Sequence, residues 1–202
     1  MQSSFVKPND PVLSKIAELI DKEKIPSKSV KDLVNKMLNT AYGKQKDRKK
    51  PLLVGLAAPQ IGISKRIILV DVKANGRGKV GNLRVFINPK IVWKSKETYE
   101  RYEGCWSTGR VCGIVERPVS VKIAAFDLQG KQTKKKYSGY TARIFQHEID
   151  HLNGKEFVTH IKDDDKLHWV EPKEFPEYRN KESWRNWTKK CSRDKWKKIK
   201  AY

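Results

Sequence analysis

Ten residues, FQHEIDHLNG from Phe145 to Gly154, restrict this chain more than any other stretch. They contain His-Glu-x-x-His. At about 3.6 residues per turn, His147 and His151 fall one turn apart on one helix face, so both imidazoles can reach one ion. Glu148 is rotated by roughly 100° from His147, so it can touch a water in the ion's open position without being a ligand. That is the place of a general base. A surface helix with polar residues at chance spacing would carry the same letters. A catalytic zinc or iron(II) centre takes three protein ligands plus water, so a third ligand separates the two readings.

The thiols and the remaining histidines, His160 and His168, are the candidates for that ligand. Cys105 stands out for its setting, YEGCWS, flanked by glycine in a loop between β-like segments. Cys112 is its competitor, although a cysteine among apolar residues is usually a small core residue. With Cys191 the chain has three cysteines, an odd and widely spread set. This fits a reducing compartment better than a disulfide framework and leads us to expect a cytoplasmic protein.

Apolar spacing at Leu13, Ile16, Ala17 and Ile20 behind Pro11 predicts a first helix. A second starts at a capping-box-like Ser29 and Asp32, turns Val30, Leu33, Val34, Met37, Leu38 and Ala41 to one face, and stops at Gly43. KQKDRKKP is then an exposed basic loop. From Pro51 the texture becomes β: LLVGLAA, RIILVDV, LRVFINPKIVW and VSVKIAAFDL are rich in Val and Ile and bounded by Gly, Pro and Asn. ANGRG and LQGK supply turns. The histidine helix follows the last hairpin, from Ser138 or Gly139 to near Gly154. No βαβ alternation suggests a parallel sheet. The expectation is an α+β domain of mostly antiparallel strands around a central metal-binding helix, covering residues 1–165.

Residues 166–202 change character: this extension holds four of the six tryptophans and a dense basic end. The 202 residues carry 44 Lys+Arg against 23 Asp+Glu, a formal charge of +21. Such a field favours polyanions: RNA, the ribosome or an anionic membrane, though general lysine richness gives the same number. No apolar run is long enough for a membrane span, and no secretory leader pattern is present.

Three segments together resemble the peptide deformylases. VGLAAPQIG (Val54 to Gly62), EGCWS (Glu103 to Ser107) and QHEIDHLNG (Gln146 to Gly154) are similar to that family's three motifs and occur in its order. FINPKI, VERPVSVKIAAFDLQGK and SGYTARIF agree between them, and the resemblance runs from about Asn9 to Ile161. It implies one divalent ion on Cys105, His147 and His151, with iron(II) in cells and zinc, nickel or cobalt accepted. It implies Glu148 as general base, and the Gln60 amide and Trp106 backbone N–H as oxyanion donors. Gly55 and Gly104 would let substrate backbone approach. Val54, Arg143 and Ile144 match positions near a methionine pocket, and Arg117 a basic position near the peptide exit side. Val54 and Ile144 could instead be core, and Arg117 a solvated charge. Asp150 could orient a ligand or be a helix-face charge. The implied substrate is the formyl-methionyl end of a nascent polypeptide.

The likeness is incomplete. Leu53 stands where the first motif normally has another glycine, Trp106 replaces the usual leucine, and Ser107-Thr108-Gly109-Arg110 replaces the usual Ser-(Ile/Val)-Pro run. The segment after Cys105 looks closer to organellar-type deformylases. Two rival readings stay open: a related N-acyl amide hydrolase with another substrate, and a ribosome- or RNA-binding module with a vestigial metal site. In residues 181–202, basic side chains could neutralise rRNA phosphates while the indoles stack on bases or pack on the parent domain.

Overall fold

The structure, a computed structural model, describes residues 5–43, 51–77, 81 and 83–201. KQKDRKK lies outside the described residues. The main elements are helix α1 (Lys28–Tyr42), strands β1 (Gly55–Ala57), β2 (Ile67–Asp71), β3 (Leu83–Lys94), β4 (Thr98–Gly104), β5 (Val111–Pro118), β6 (Ser120–Phe126) and β7 (Gln132–Ser138), helix α2 (Gly139–Leu152), strand β8 (Leu167–Trp169), and helices α3 (Phe175–Arg179) and α4 (Arg193–Ala201). Short 3₁₀ turns join several of them.

The strands form two sheets, β1-β2-β3-β6-β7 and β4-β5-β8, and every strand pair within them is antiparallel. The five-stranded sheet has a core on each face. On one, Ile68, Val70, Phe86, Val121, Ile123 and Ala125 pack on Ala142, Phe145, Ile149 and Leu152 of α2. On the other, Ile67, Leu69 and Ile87 meet Val30, Val34, Met37 and Ala41 of α1. Helix α2 therefore has one face fully committed to the sheet, which leaves its other face for chemistry.

The α+β architecture built around α2 is as expected, and three local expectations are corrected. The segment around Leu13–Ile20 is a 3₁₀ turn, Pro11–Ser14, followed by extended chain bridged at Ile16 to Asn153 and at Glu18 to Lys65. Its apolar spacing misleads because Ile16 lies 73% exposed while Leu13, Ala17 and Ile20 are buried. Helix α1 is capped by Ser27, whose hydroxyl accepts from the Val30 N–H at 3.4 Å, not from Ser29; Gly43, at φ 60°, does end it. Strands β4, β5 and β7 lie beyond the four β segments read from Val and Ile content, because β4 and β7 are mostly polar and β5 is interrupted by glycine and charge.

The segment after α2 returns to the smaller sheet. β8 pairs with β5 in the register Cys112↔His168, and the chain beyond it folds back over that sheet. Tyr178, Trp184 and Trp187 bury themselves against Cys112, Ile114 and Val170, while Trp196 and Cys191 join Val111, Phe157, Val158 and Ile161. The tryptophans of residues 181–202 thus pack on the parent domain and are not free to stack on bases.

Candidate metal centre

The centre forms where β4 ends against the face of α2 turned away from the five-stranded sheet. Gly104 closes the β4–β5 ladder opposite Cys112, where an added Cβ would come within 2.7 Å of the Cys112 sulfur. Cys105 follows in extended conformation, just before a 3₁₀ turn over Trp106–Thr108 that the Thr108 hydroxyl ties to Cys105 O and Val111 O. The Cys105 sulfur is 3.3 Å from His151 Nε2, and the ligand atoms of Cys105, His147 and His151 all lie within 4.8 Å of one another. Among the described residues this is the one such cluster. Cys112 and His168 are buried elsewhere, and His160 pairs with Asp150 at 2.8 Å, so none of them competes as the third ligand.

Whether these residues fit a divalent ion can be tested on their protonation and on their second contacts. Burial pushes the Cys105 thiol up, but the imidazoles of His151 and His147 outweigh it and hold the sulfur well below the ordinary thiol range, as a thiolate ligand requires. His147 spends Nδ1 on Glu103 Oε2 at 2.9 Å, which leaves Nε2 for an ion. Three donors of this kind, a soft thiolate and two imidazoles, suit a four-coordinate ion with one open position. The donor set fits a single divalent metal.

Glu148 is buried beside the cluster, and its Oε2 has no protein partner. Burial raises its carboxyl to about 7 against the opposing pull of His147 and His151. A Cβ placed on Gly55 would come within 2.3 Å of Glu148 Oε1 and 2.8 Å of Ile144 Cγ2, so β1 passes directly over the acid and its helix neighbour. Val54 is half-buried against the same core. From the other side comes Gln60: its Oε1 accepts from the Ala57 N–H at 2.7 Å, which fixes the amide so that Nε2 donates to Cys105 Sγ at 3.0 Å. The Trp106 ring is 65% exposed and stacks on Phe5 at 5.4 Å. Gln60, Cys105, His147, Glu148, His151, Gly55 and Ile144 therefore converge, with Trp106 next in the chain after Cys105.

Arg117 and Arg143 do not join them as substrate contacts. Both are buried, and both spend their guanidinium groups on Glu103: Arg117 Nε reaches Oε1 at 2.6 Å and Arg143 Nη1 reaches the same oxygen at 2.7 Å. Arg143 also donates to Val115 O and Tyr99 O, and Arg117 to Asp150 at 2.8 Å. Asp150, bound also by His160, is an anchor and not a free helix-face charge. A matched pocket position does not expose a side chain, and two arginines beside one buried carboxylate are drawn inward by charge.

Glu103 is the residue that reading for ligands and bases overlooks. Burial would raise its pKa, but Arg117, aided by its hydrogen bonds and by His147, holds it well below the usual carboxylate range. As an anion it fixes the tautomer and direction of His147. A signal was present: Glu103 and Cys105 are two apart at a strand end and so face the same way.

Comparison with known proteins agrees with this geometry. The family profile described as polypeptide deformylase matches residues 3–167. The peptide deformylase of Phenylobacterium zucineum is 35% identical over 151 residues, 75% of this chain and 82% of that relative. The chloroplastic peptide deformylase 1A of Solanum lycopersicum is 37% identical over 167 residues, 76% of this chain and 57% of that one. Identity therefore does not set the chloroplastic relative apart from the bacterial one. The Met-Ala-Ser-bound crystal structure of the class I type b peptide deformylase from Acinetobacter baumannii superimposes with a TM-score of 0.70 at 35% identity, covering 80% of this chain and 99% of that one. With its profile match, its fold and its thiolate–imidazole centre, the chain belongs to the polypeptide deformylase family.

Proposed function

We propose that Glu148 is the proton carrier of a formyl-amide hydrolysis performed at the Cys105–His147–His151 centre. The chain is a peptide deformylase, an amide hydrolase that removes the N-terminal formyl group from nascent polypeptides and releases formate. Cys105, His147 and His151 would hold a divalent ion, which would supply the Lewis acidity that makes water a nucleophile near neutral pH. The other steps belong to side chains of this chain. Glu148, buried with one oxygen unpartnered, takes a proton from the attacking water as the water oxygen bonds the formyl carbon. It returns that proton to the amine nitrogen as the C–N bond breaks. Gln60 Nε2, held in direction by Ala57, and the Trp106 N–H donate to the oxyanion. Val54, Gly55, Ile144 and Gly104 shape the groove for the backbone and the first side chain. The Met-Ala-Ser bound by the Acinetobacter baumannii protein supports a methionine there.

The observation that carries this reading is the buried, partnerless Glu148 oxygen beside the three converging ligands. The thiolate suits iron(II) in a reducing cell, with zinc, nickel or cobalt as substitutes, and three free thiols are in keeping with a cytoplasmic enzyme. Among the described residues no helix is long and apolar enough to cross a membrane. Residues 1–165 form the catalytic unit in this reading. Residues 166–202 form an extension whose exposed Lys195, Lys197 and Lys198 on α4 touch ribosomal RNA. The organellar likeness of the Trp106–Arg110 segment belongs to the same reading.

The test is metal analysis with turnover of formyl- and acetyl-Met-Ala-Ser on anaerobically purified protein. Formyl-selective turnover is expected. Equal rates on both would favour the rival amidase, and a metal-loaded protein without turnover would favour the vestigial-site reading. Reversing Lys195, Lys197 and Lys198 to Glu should weaken ribosome co-sedimentation at low salt while peptide turnover persists; unchanged co-sedimentation would remove the tail from the docking account.

A further inference from the structure

The face of the five-stranded sheet that carries α1 is covered only in part. Along β6, Phe126 lies under the α1 cluster, while Ala124 and Lys122 share its side of the sheet and continue beyond it. Register places Lys90 and Lys134 beside Ala124, and Trp93 and Lys136 beside Lys122, so these side chains share that face. A register shift between Ile91 and Trp93 leaves Val92 and Trp93 exposed, Trp93 at 45%. The Lys136 ammonium sits 5.3 Å from the Trp93 ring centroid. On this face Lys90, Lys122, Lys134 and Lys136 stand together, and strands β3, β6 and β7 contain no aspartate or glutamate.

We propose that this bare half-sheet is a binding platform for single-stranded RNA. Charge and shape both point to that occupant. Rows of lysine with no intervening acid neutralise consecutive phosphates. An exposed indole set among them on the sheet offers a base a stacking surface, the arrangement by which sheet platforms hold unpaired nucleotides. Lysines alone would be explained by protection of the β7 edge against strand pairing. Edge protection does not call for an exposed tryptophan two strands inward. An anionic lipid surface would use the charges and an interfacial indole as well, so phosphatidylserine vesicles are the control that separates it from a single strand. The platform is separate from α4 and from the metal centre, so it does not depend on the roles proposed for either.

The experiment uses the full metal-loaded chain and a fluorescein-labelled twelve-nucleotide unpaired RNA, titrated across salt. Parallel arms use the same RNA as a duplex and phosphatidylserine vesicles. The triple variant Lys122→Glu, Lys134→Glu, Lys136→Glu should weaken single-strand binding more than tenfold and flatten the log–log salt dependence by about 2, near 0.7 for each phosphate no longer neutralised. Trp93→Ala should weaken it about five- to thirtyfold, from a stacking loss of about 1–2 kcal/mol, with the salt slope unchanged. Formyl-Met-Ala-Ser turnover should stay at the parent rate in both, which reports that each variant folds. The proposal is overturned if Trp93→Ala binds like the parent, or if the duplex or the vesicles bind as tightly as the single strand. It is also overturned if reversing Lys195, Lys197 and Lys198 to Glu abolishes the binding while the sheet variants keep it, since the tail would then be the RNA site.

Discussion

The small sheet β4-β5-β8 has two faces that are buried by opposite means. On the face toward α2, Glu103 and Arg117 meet Arg143, His147 and Asp150 in a closed network of charge. On the other, Tyr102, Cys112 and Ile114 lie under Tyr178, Trp184 and Trp187, ring against ring: Tyr102 to Tyr178 at 5.4 Å and Tyr178 to Trp187 at 5.2 Å. Two thiols seven positions apart register the contrast. Histidines hold Cys105 well below the ordinary thiol range, whereas burial pushes Cys112 up to about 12. Directional, paired charges can aim a ligand, and aromatic packing can only exclude water. The lesson is that one thin sheet separates a face built for position from a face built for stability.

That contrast can be broken most severely at the charged face. Glu148→Gln should retain metal and lose deformylation by about 10³-fold or more, near the upper part of the range for a lost general acid–base. Formyl-Met-Ala-Ser turnover at matched metal content checks it, and near-parent rates would mean the base lies elsewhere. Cys105→Ala should lose the metal, while Cys112→Ala should keep it and cost only about 1 kcal/mol of stability. The reverse pair of outcomes would exchange the roles of the two faces.

Next in size is Glu103→Gln, which strips the counter-charge from two buried guanidinium groups. Leaving a buried ion unpaired typically costs about 3–5 kcal/mol, so the urea midpoint should fall sharply even in a metal-depleted sample. An unchanged midpoint with weakened metal binding would show the network aims His147 without holding the fold.

The aromatic face gives a smaller and pH-dependent effect. His168 is buried within it, accepting from the Tyr178 hydroxyl at 2.9 Å, and burial together with Lys190 lowers its pKa from 6.5 to about 4. Between those values the unfolded chain takes up a proton that the folded one refuses. The stability contributed by neutral His168 is therefore present above pH 6.5, declines as the pH falls, and levels off below about 4. Urea melts followed by tryptophan fluorescence at pH 7 and pH 4.5 should show a larger drop for the parent than for His168→Gln. The smallest effect is expected at the rim: Trp106→Leu keeps the backbone donor and removes only an exposed ring stacked on Phe5, so kcat/KM should change less than tenfold.

The two faces were unequally legible. The charged face was partly readable because ligands announce themselves by type and spacing: His147, Glu148 and His151 follow from helix period, and Cys105 from its glycine-flanked setting. The partners of those residues were less so: Glu103 lies two positions before Cys105, but nothing in a lone Arg143 or Arg117 tells whether it points to water or to a buried acid, and only the fold turns both onto Glu103. Likewise β4 and β7 carry too much charge to look like strands. They tolerate it because β7 is a sheet edge and the charge of β4 is turned into the ion-pair network. The aromatic face gave only a composition signal. Trp184 and Trp187 could have been for stacking or for packing, and the decision lies with distant Cys112 and Ile114. At Leu13–Ile20 the spacing suggested a helix, but pairing with Asn153 and Lys65 holds the chain extended.

Lys200 binds Glu156 at 2.9 Å and the Pro8 carbonyl at 2.5 Å, and Trp196 on the same helix packs over Phe157. The consequence is one of timing. Synthesis delivers Cys105, His147 and His151 well before the residues that seal Cys112 and brace Phe157, so the ligands exist for a time without their outer wall. A copy of this protein emerging from the ribosome has its chemistry spelled out before its shelter is complete. The far side of the small sheet stays open until the last turns of chain swing back onto residues made first.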